Sequence, residues 1–102
     1  MEGVNLYQYG FDDRAVRDGS KLPIAVRRRI LRNLEYLRAA PFRSHPGVLV
    51  KEVAEFRGVW HFHAADDVRV YYTVVGDLIW VIMVEKSLGV TRKTVRELRK
   101  RH

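Results

Sequence analysis

The chain has 102 residues, no cysteine, and 19 Lys and Arg against 12 Asp and Glu, for a formal charge of +7 and a pI near 10.1. This excludes disulfide staples and thiolate zinc and predicts one domain, residues 1–102, large enough to bury a core by hydrophobic contact alone. A domain this basic suits a polyanion or an acidic protein partner.

Met1 to Gly10 does not run from a basic segment into an apolar one, so no signal peptide is expected. Val4 to Tyr9 is predicted as a first strand, with Val4 and Leu6 on one face and Asn5, Tyr7 and Tyr9 on the other. Asp12 to Asp18 reads as a short helix, with acidic residues in its first turn and Gly19 after its end. Pro23 opens a longer helix, because its fixed φ suits a first turn. Val26, Ile30, Leu34 and Leu37 recur there at helical spacing, with Leu31 beside them, while Arg27, Arg28, Arg32, Glu35 and Arg38 take the outer positions. Pro41 ends this helix. The two helices, joined by Gly19 to Leu22, form a hairpin expected to pack on one face of a sheet.

Pro41 to Gly47 reads as a loop. Val48 to Phe56, which contains Lys51, Glu52 and Glu55, is a further strand candidate whose register stays open. From Phe56 to Val84 the chain reads as three antiparallel strands. Asp66-Asp67 and Gly76-Asp77 supply tight turns, and Arg57-Gly58 marks an earlier turn or bulge. Leu78 to Val84 is apolar without a break, the pattern of a strand covered on both faces, and is placed at the centre of the sheet. A membrane span needs about 20 such residues, so no membrane role is expected. Thr91 caps a last helix, Arg92 to Arg101, with six basic residues and only Val95 and Leu98 as anchors, hence weakly docked. The fold class is therefore α+β: a helix hairpin on a four- to five-stranded, mainly antiparallel sheet, with a short basic C-terminal helix. Val26, Ile30, Leu34, Leu37, Trp80 and Ile82 are expected to be buried.

The element order, with Lys21-Leu22-Pro23, Pro41, Gly58-Val59-Trp60 and Val68-Arg69-Val70-Tyr71-Tyr72, resembles the RelE/ParE superfamily of toxins from type II toxin–antitoxin systems. The resemblance runs from about Leu6 to Val84. It implies a cytoplasmic toxin neutralised by a cognate antitoxin, with no cofactor. The RelE and YoeB branches cut messenger RNA on the ribosome, whereas the ParE branch inhibits DNA gyrase without cutting.

Cleavage of RNA by its own 2′-hydroxyl requires a base, an acid and cations around the phosphorane. The resemblance points to His61 and His63 for proton transfer, to Arg69 as a phosphate clamp, and to Lys86 as the last cation. Imidazoles titrate near neutrality, and two of them two residues apart on a strand share a face. They also read as two half-exposed histidines, or as two ligands of a metal whose third ligand would come from His45, Glu52 or Glu85. No metal is assigned. Arg69 reads either as a phosphate clamp or as the partner of Glu52, Glu55 or Asp67 in a structural ion pair. A two-residue turn at Asp66-Asp67 would place Arg69 on the opposite face from the histidines, while a bulge would restore the shared face. Arg57, Lys51, Arg27 and Arg28 are further RNA-binding candidates, the last two also readable as a solvated helix face. The histidine and tyrosine that end the YoeB pattern are absent; Ser87 and Leu88 stand there. The antitoxin is expected to lay an acidic segment over Arg69 and Lys86. The ribosome and mRNA are the implied targets, with gyrase as the alternative.

Overall fold

The computed structural model describes residues 6–102. The elements run β1 (Gln8–Phe11), α1 (Asp13–Ser20), α2 (Ile24–Leu37), β2 (Val50–Glu52), β3 (Trp60–Ala65), β4 (Val68–Val75), β5 (Leu78–Lys86) and α3 (Arg92–Arg101). The five strands form one sheet in the order β1-β5-β4-β3-β2, with β1 parallel to β5 and the other pairs antiparallel. This is the α+β architecture expected.

Several boundaries differ from expectation for local reasons. The first strand starts at Gln8, and Val4 and Asn5 lie outside the described residues. A Cβ on Gly10 would come within 3.0 Å of the Trp80 ring, so β1 approaches β5 closely at a residue without a side chain. Gly19 lies inside α1 rather than after it, and the Asp12 carboxylate caps the helix start by accepting from the Arg14 amide. The strand expected over Val48 to Phe56 shrinks to Val50–Glu52. The chain turns after it: the Val53 amide donates to the Val59 carbonyl, and Gly58 takes a φ of 86° that favours glycine.

α1 and α2 cover one face of the sheet. Ala15, Ile30, Leu34 and Leu37 pack there with Phe62, Ala64, Val70, Tyr72, Ile79 and Val81. Val26, expected to be buried, is only half-buried beside this core. The opposite face carries a second core of Val53, Val59, Tyr71, Ile82, Met83 and Leu98. A bulge joins the two. Tyr71 pairs with Met83 but Tyr72 pairs with Val81, so Ile82 and Met83 both turn to the second face. Strand β5 is thus covered on both sides, which explains its unbroken apolar run. It is an interior strand, but β4 holds the midpoint of the sheet. Trp80, expected to be buried, is half-buried because its ring lies against Gly10 near the β1 edge.

Helix α3 is held more firmly than two anchors predict. Thr91 and Thr94 form a reciprocal capping box. Leu98 is fully buried, and Thr94 Oγ1 donates to the Glu85 carboxylate. At the far end Arg101 reaches Asp18 of α1 and the Ile82 carbonyl, and bonds Glu97 at 3.0 Å. Arg14 adds a bond to the Lys100 carbonyl at 3.2 Å.

Candidate functional site

Register decides which side chains meet. Lys51 pairs with His61 across β2 and β3, and His61 pairs with Tyr71 across β3 and β4. One step along, His63 pairs with Arg69, and Arg69 pairs with Glu85 of β5. Directly paired residues project to the same side, about 5 Å apart. Two parallel ranks result, Lys51–His61–Tyr71 and His63–Arg69–Glu85, on the sheet face away from α1 and α2. The shared face depends on a register shift between His63 and Ala65, which leaves Ala65 opposite Val68. Without it, the tight Asp66-Asp67 turn would have put Arg69 among the core residues.

Arg69 is the unusual member. It is 8% exposed, and one Nη donates to the Ser87 carbonyl at 2.8 Å. Its Nε is buried without a partner. Among the described residues no carboxylate pairs with it. The carboxylates that the sequence offers are used elsewhere or lie apart. Glu52 accepts from the Gly58 amide at 2.8 Å, and Asp67 sits 3.7 Å from Lys86. A buried guanidinium without a counter-ion costs stability unless an anion completes it.

That charge acts on both histidines. Burial first, then the charges of Arg69, His63 and Lys51, holds His61 down to about 4. Burial and Arg69 also lower His63, against a small opposing effect of Asp66. His61 is therefore neutral at pH 7, and its Nδ1 is buried without a partner. Its ring lies 5.5 Å from the Tyr71 ring at 31°. His63 is exposed at the rim. The Tyr71 hydroxyl donates to Glu85 at 3.1 Å; burial and the Glu85 charge hold the phenol protonated well above its usual range. Tyr71 and Glu85 thus link the site to α3 through Thr94.

The structure brings together His61, His63, Arg69 and Lys51 of the expected set. Lys86 is not among them. It pairs with Val68, alternates away from Glu85 onto the other face, and lies beside Asp67. Arg27 and Arg28 stand exposed on α2, across the sheet from the histidines, and Arg57 is exposed on the β2–β3 turn. The metal alternative lacks its geometry, since no group of three His, Asp or Glu converges among the described residues. His45 bonds the Ala40 carbonyl through Nε2 instead. Sequence reasoning missed the Tyr71–Glu85–Thr94 link. Its signal was faint: one carboxylate at the end of an apolar strand, nine residues before a threonine.

No protein-family model and no curated protein sequence matches the chain. Solved structures do. The toxin–antitoxin complex RelBE2 of Mycobacterium tuberculosis superposes with a TM-score of 0.65 at 20% identity, covering 79% of this chain and 98% of the other. The archaeal RelE–RelB complex of Pyrococcus horikoshii gives 0.64 at 21%, covering 84% and 99%. The YoeB dimer of Staphylococcus aureus gives 0.67 at 13%, covering 78% and 94%. The chain therefore has the fold of the RelE/ParE superfamily.

Proposed function

We propose that this chain, built on the RelE/ParE fold, is the toxin of a type II toxin–antitoxin pair and cleaves messenger RNA on the ribosome, in the cytoplasm. The observation that carries the ribonuclease reading is Arg69, a nearly buried guanidinium opposite a histidine that forms no salt bridge among the described residues, a charge that a phosphate would complete. Neutral His61 takes the proton of the 2′-hydroxyl, and that oxygen attacks the adjacent phosphorus. His63, in its protonated form at the rim, gives a proton to the departing 5′-oxygen. Arg69 and Lys51 stabilise the phosphorane charge. Lys51 thereby fills the place assigned to Lys86 from sequence. The products are a 2′,3′-cyclic phosphate and a free 5′-hydroxyl. No cofactor enters the scheme.

An antitoxin partner is supported by the fold neighbours, which include RelE proteins solved with RelB. It would meet an uncovered apolar cleft of about 270 Å³ between α1, α2 and β5, lined by Phe11, Val16, Ile30, Leu31 and Val84. An acidic segment would continue over Arg69. Growth arrest on induction, with mRNA cut inside reading frames, is the expected result. A second reading, inhibition of DNA gyrase, draws on one observation: Ser87 and Leu88 follow β5 where the YoeB pattern has histidine and tyrosine. Growth arrest with intact mRNA and relaxed plasmid DNA would establish that reading instead.

A further inference from the structure

Helix α3 sorts its arginines. Arg101 is neutralised twice, by Asp18 and by Glu97, and its side chain is 11% exposed. Arg92, Arg96 and Arg99 are exposed, and among the described residues none of them has a carboxylate partner. Offsets of four and seven residues put the three on one stripe, at about 6 and 10 Å along the helix axis from the first. The stripe forms a wall of an open cleft of about 600 Å³ between α3 and the β2–β3 loop, with Val90 and Val95 as apolar lining and Glu55 as its carboxylate. The cleft contains none of His61, His63 or Arg69. It lies on the same side of the sheet as they do, because Leu98 of α3 packs on Tyr71 and Met83.

We propose that this cleft is a second binding site for the sugar–phosphate backbone of single-stranded RNA, holding a substrate strand beyond the cleavage site; this rests on the ribonuclease reading. Three unpaired guanidiniums in a row match a chain of regularly spaced phosphates, which they bind as bidentate donors. The valines offer an apolar surface to sugars and bases. Glu55 favours RNA over an acidic peptide. A carboxylate accepts hydrogen bonds from the exocyclic amines of bases, whereas an acidic side chain has no donor to give it and is repelled.

The test uses the full chain and a labelled 2′-O-methyl oligonucleotide of about 12 nucleotides, within the usual site size. This probe lacks the attacking hydroxyl, so binding is read whether or not the protein cleaves RNA. Fluorescence anisotropy is measured across a salt series for the wild type and for Arg92→Gln/Arg96→Gln/Arg99→Gln, with thermal unfolding as the folding check. The triple variant should bind at least about 10-fold more weakly, and its salt slope should fall by about 2, from three lost phosphate contacts at about 0.7 each. Arg96→Gln alone, at an exposed position, should show about a third of the slope change. An unchanged slope in both variants overturns the proposal, as does a wild type that does not bind the probe. Loss of poly-glutamate binding with RNA affinity intact overturns it in favour of a protein partner. Failure of the ribonuclease reading shows separately, as uncut mRNA.

Discussion

Arg69 keeps its charge in a nearly buried place and, among the described residues, forms no salt bridge, the Glu85 carboxylate across the strand being bonded to Tyr71 and Thr94; the two histidines beside it register the consequence. Removing that charge must raise both histidine pKa values, since a nearby cation disfavours imidazolium. In Arg69→Gln, NMR titration should move His61 from about 4 toward its ordinary 6.5, with His63 following; two unmoved curves would show that burial alone sets them. The same shift has a stability sign. His61 is depressed in the folded state, so the unfolded chain takes up the proton first as pH falls. Stability should be unaffected above about pH 6.5 and fall between 6.5 and about 4. Half-exposure limits the loss to on the order of 1–2 kcal/mol. Denaturant curves of His61→Gln should lack that component. The kcat/KM profile of cleavage should be bell-shaped with its maximum on the acid side of neutrality, because both histidines titrate low in the free protein. At this scale the shared face of His61 and His63 was legible, since spacing of two fixes one strand face, while the face of Arg69 stayed open until the register shift after His63 was seen. The face of Lys86 was not legible, because it depends on strand parity, and one bulged residue reverses parity without leaving a mark in composition.

Among the elements, α3 behaves as a strap fixed at both ends and in the middle, by Thr94 on Glu85, Leu98 in the second core, and Arg101 on Asp18. Asp18 also accepts the Val84 amide at 3.1 Å, so one carboxylate ties α1, β5 and α3 together. Asp18→Ala leaves the Val84 amide without its acceptor and takes one of two carboxylates from the Arg101 guanidinium. It should cost about 1–3 kcal/mol, and hydrogen exchange should speed up at the α3 amides well before those of β4. Equal protection in variant and wild type would mean that Leu98 holds the helix by itself. Periodicity made α2 and the three long strands legible, along with the two-sided cover of β5. The docking of α3 was not legible, because its decisive partner stands 83 residues away. The brevity of β2 was also hidden: Val48 to Phe56 carries strand-forming residues, and the turn through Gly58 that cuts it short is a tertiary fit.

On the scale of the whole molecule, two cores on opposite sides of one sheet leave two different outer surfaces. The α1–α2 side offers an apolar cleft, while the α3 side gathers Lys51, Arg69 and the arginine stripe. An antitoxin that engages both should associate faster at low salt and dissociate slowly through its apolar contacts. Stopped-flow rates should therefore fall as salt rises while off-rates stay nearly constant; a salt-independent on-rate would remove the electrostatic half of that account. The +7 charge suits a polyanion or an acidic protein partner, but the sorting of that charge between faces emerges only from the register. We propose that the His61–His63–Arg69 face cuts RNA. Its most direct measurement is mass spectrometry of mRNA ends after incubation of the purified protein with programmed ribosomes. The wild type should leave 2′,3′-cyclic phosphates, and His61→Ala, His63→Ala and Arg69→Ala should each lower their rate of formation by about 10²–10⁴ with the fold intact. Intact mRNA with wild-type protein, or cyclic ends formed at an undiminished rate by all three variants, would contradict it.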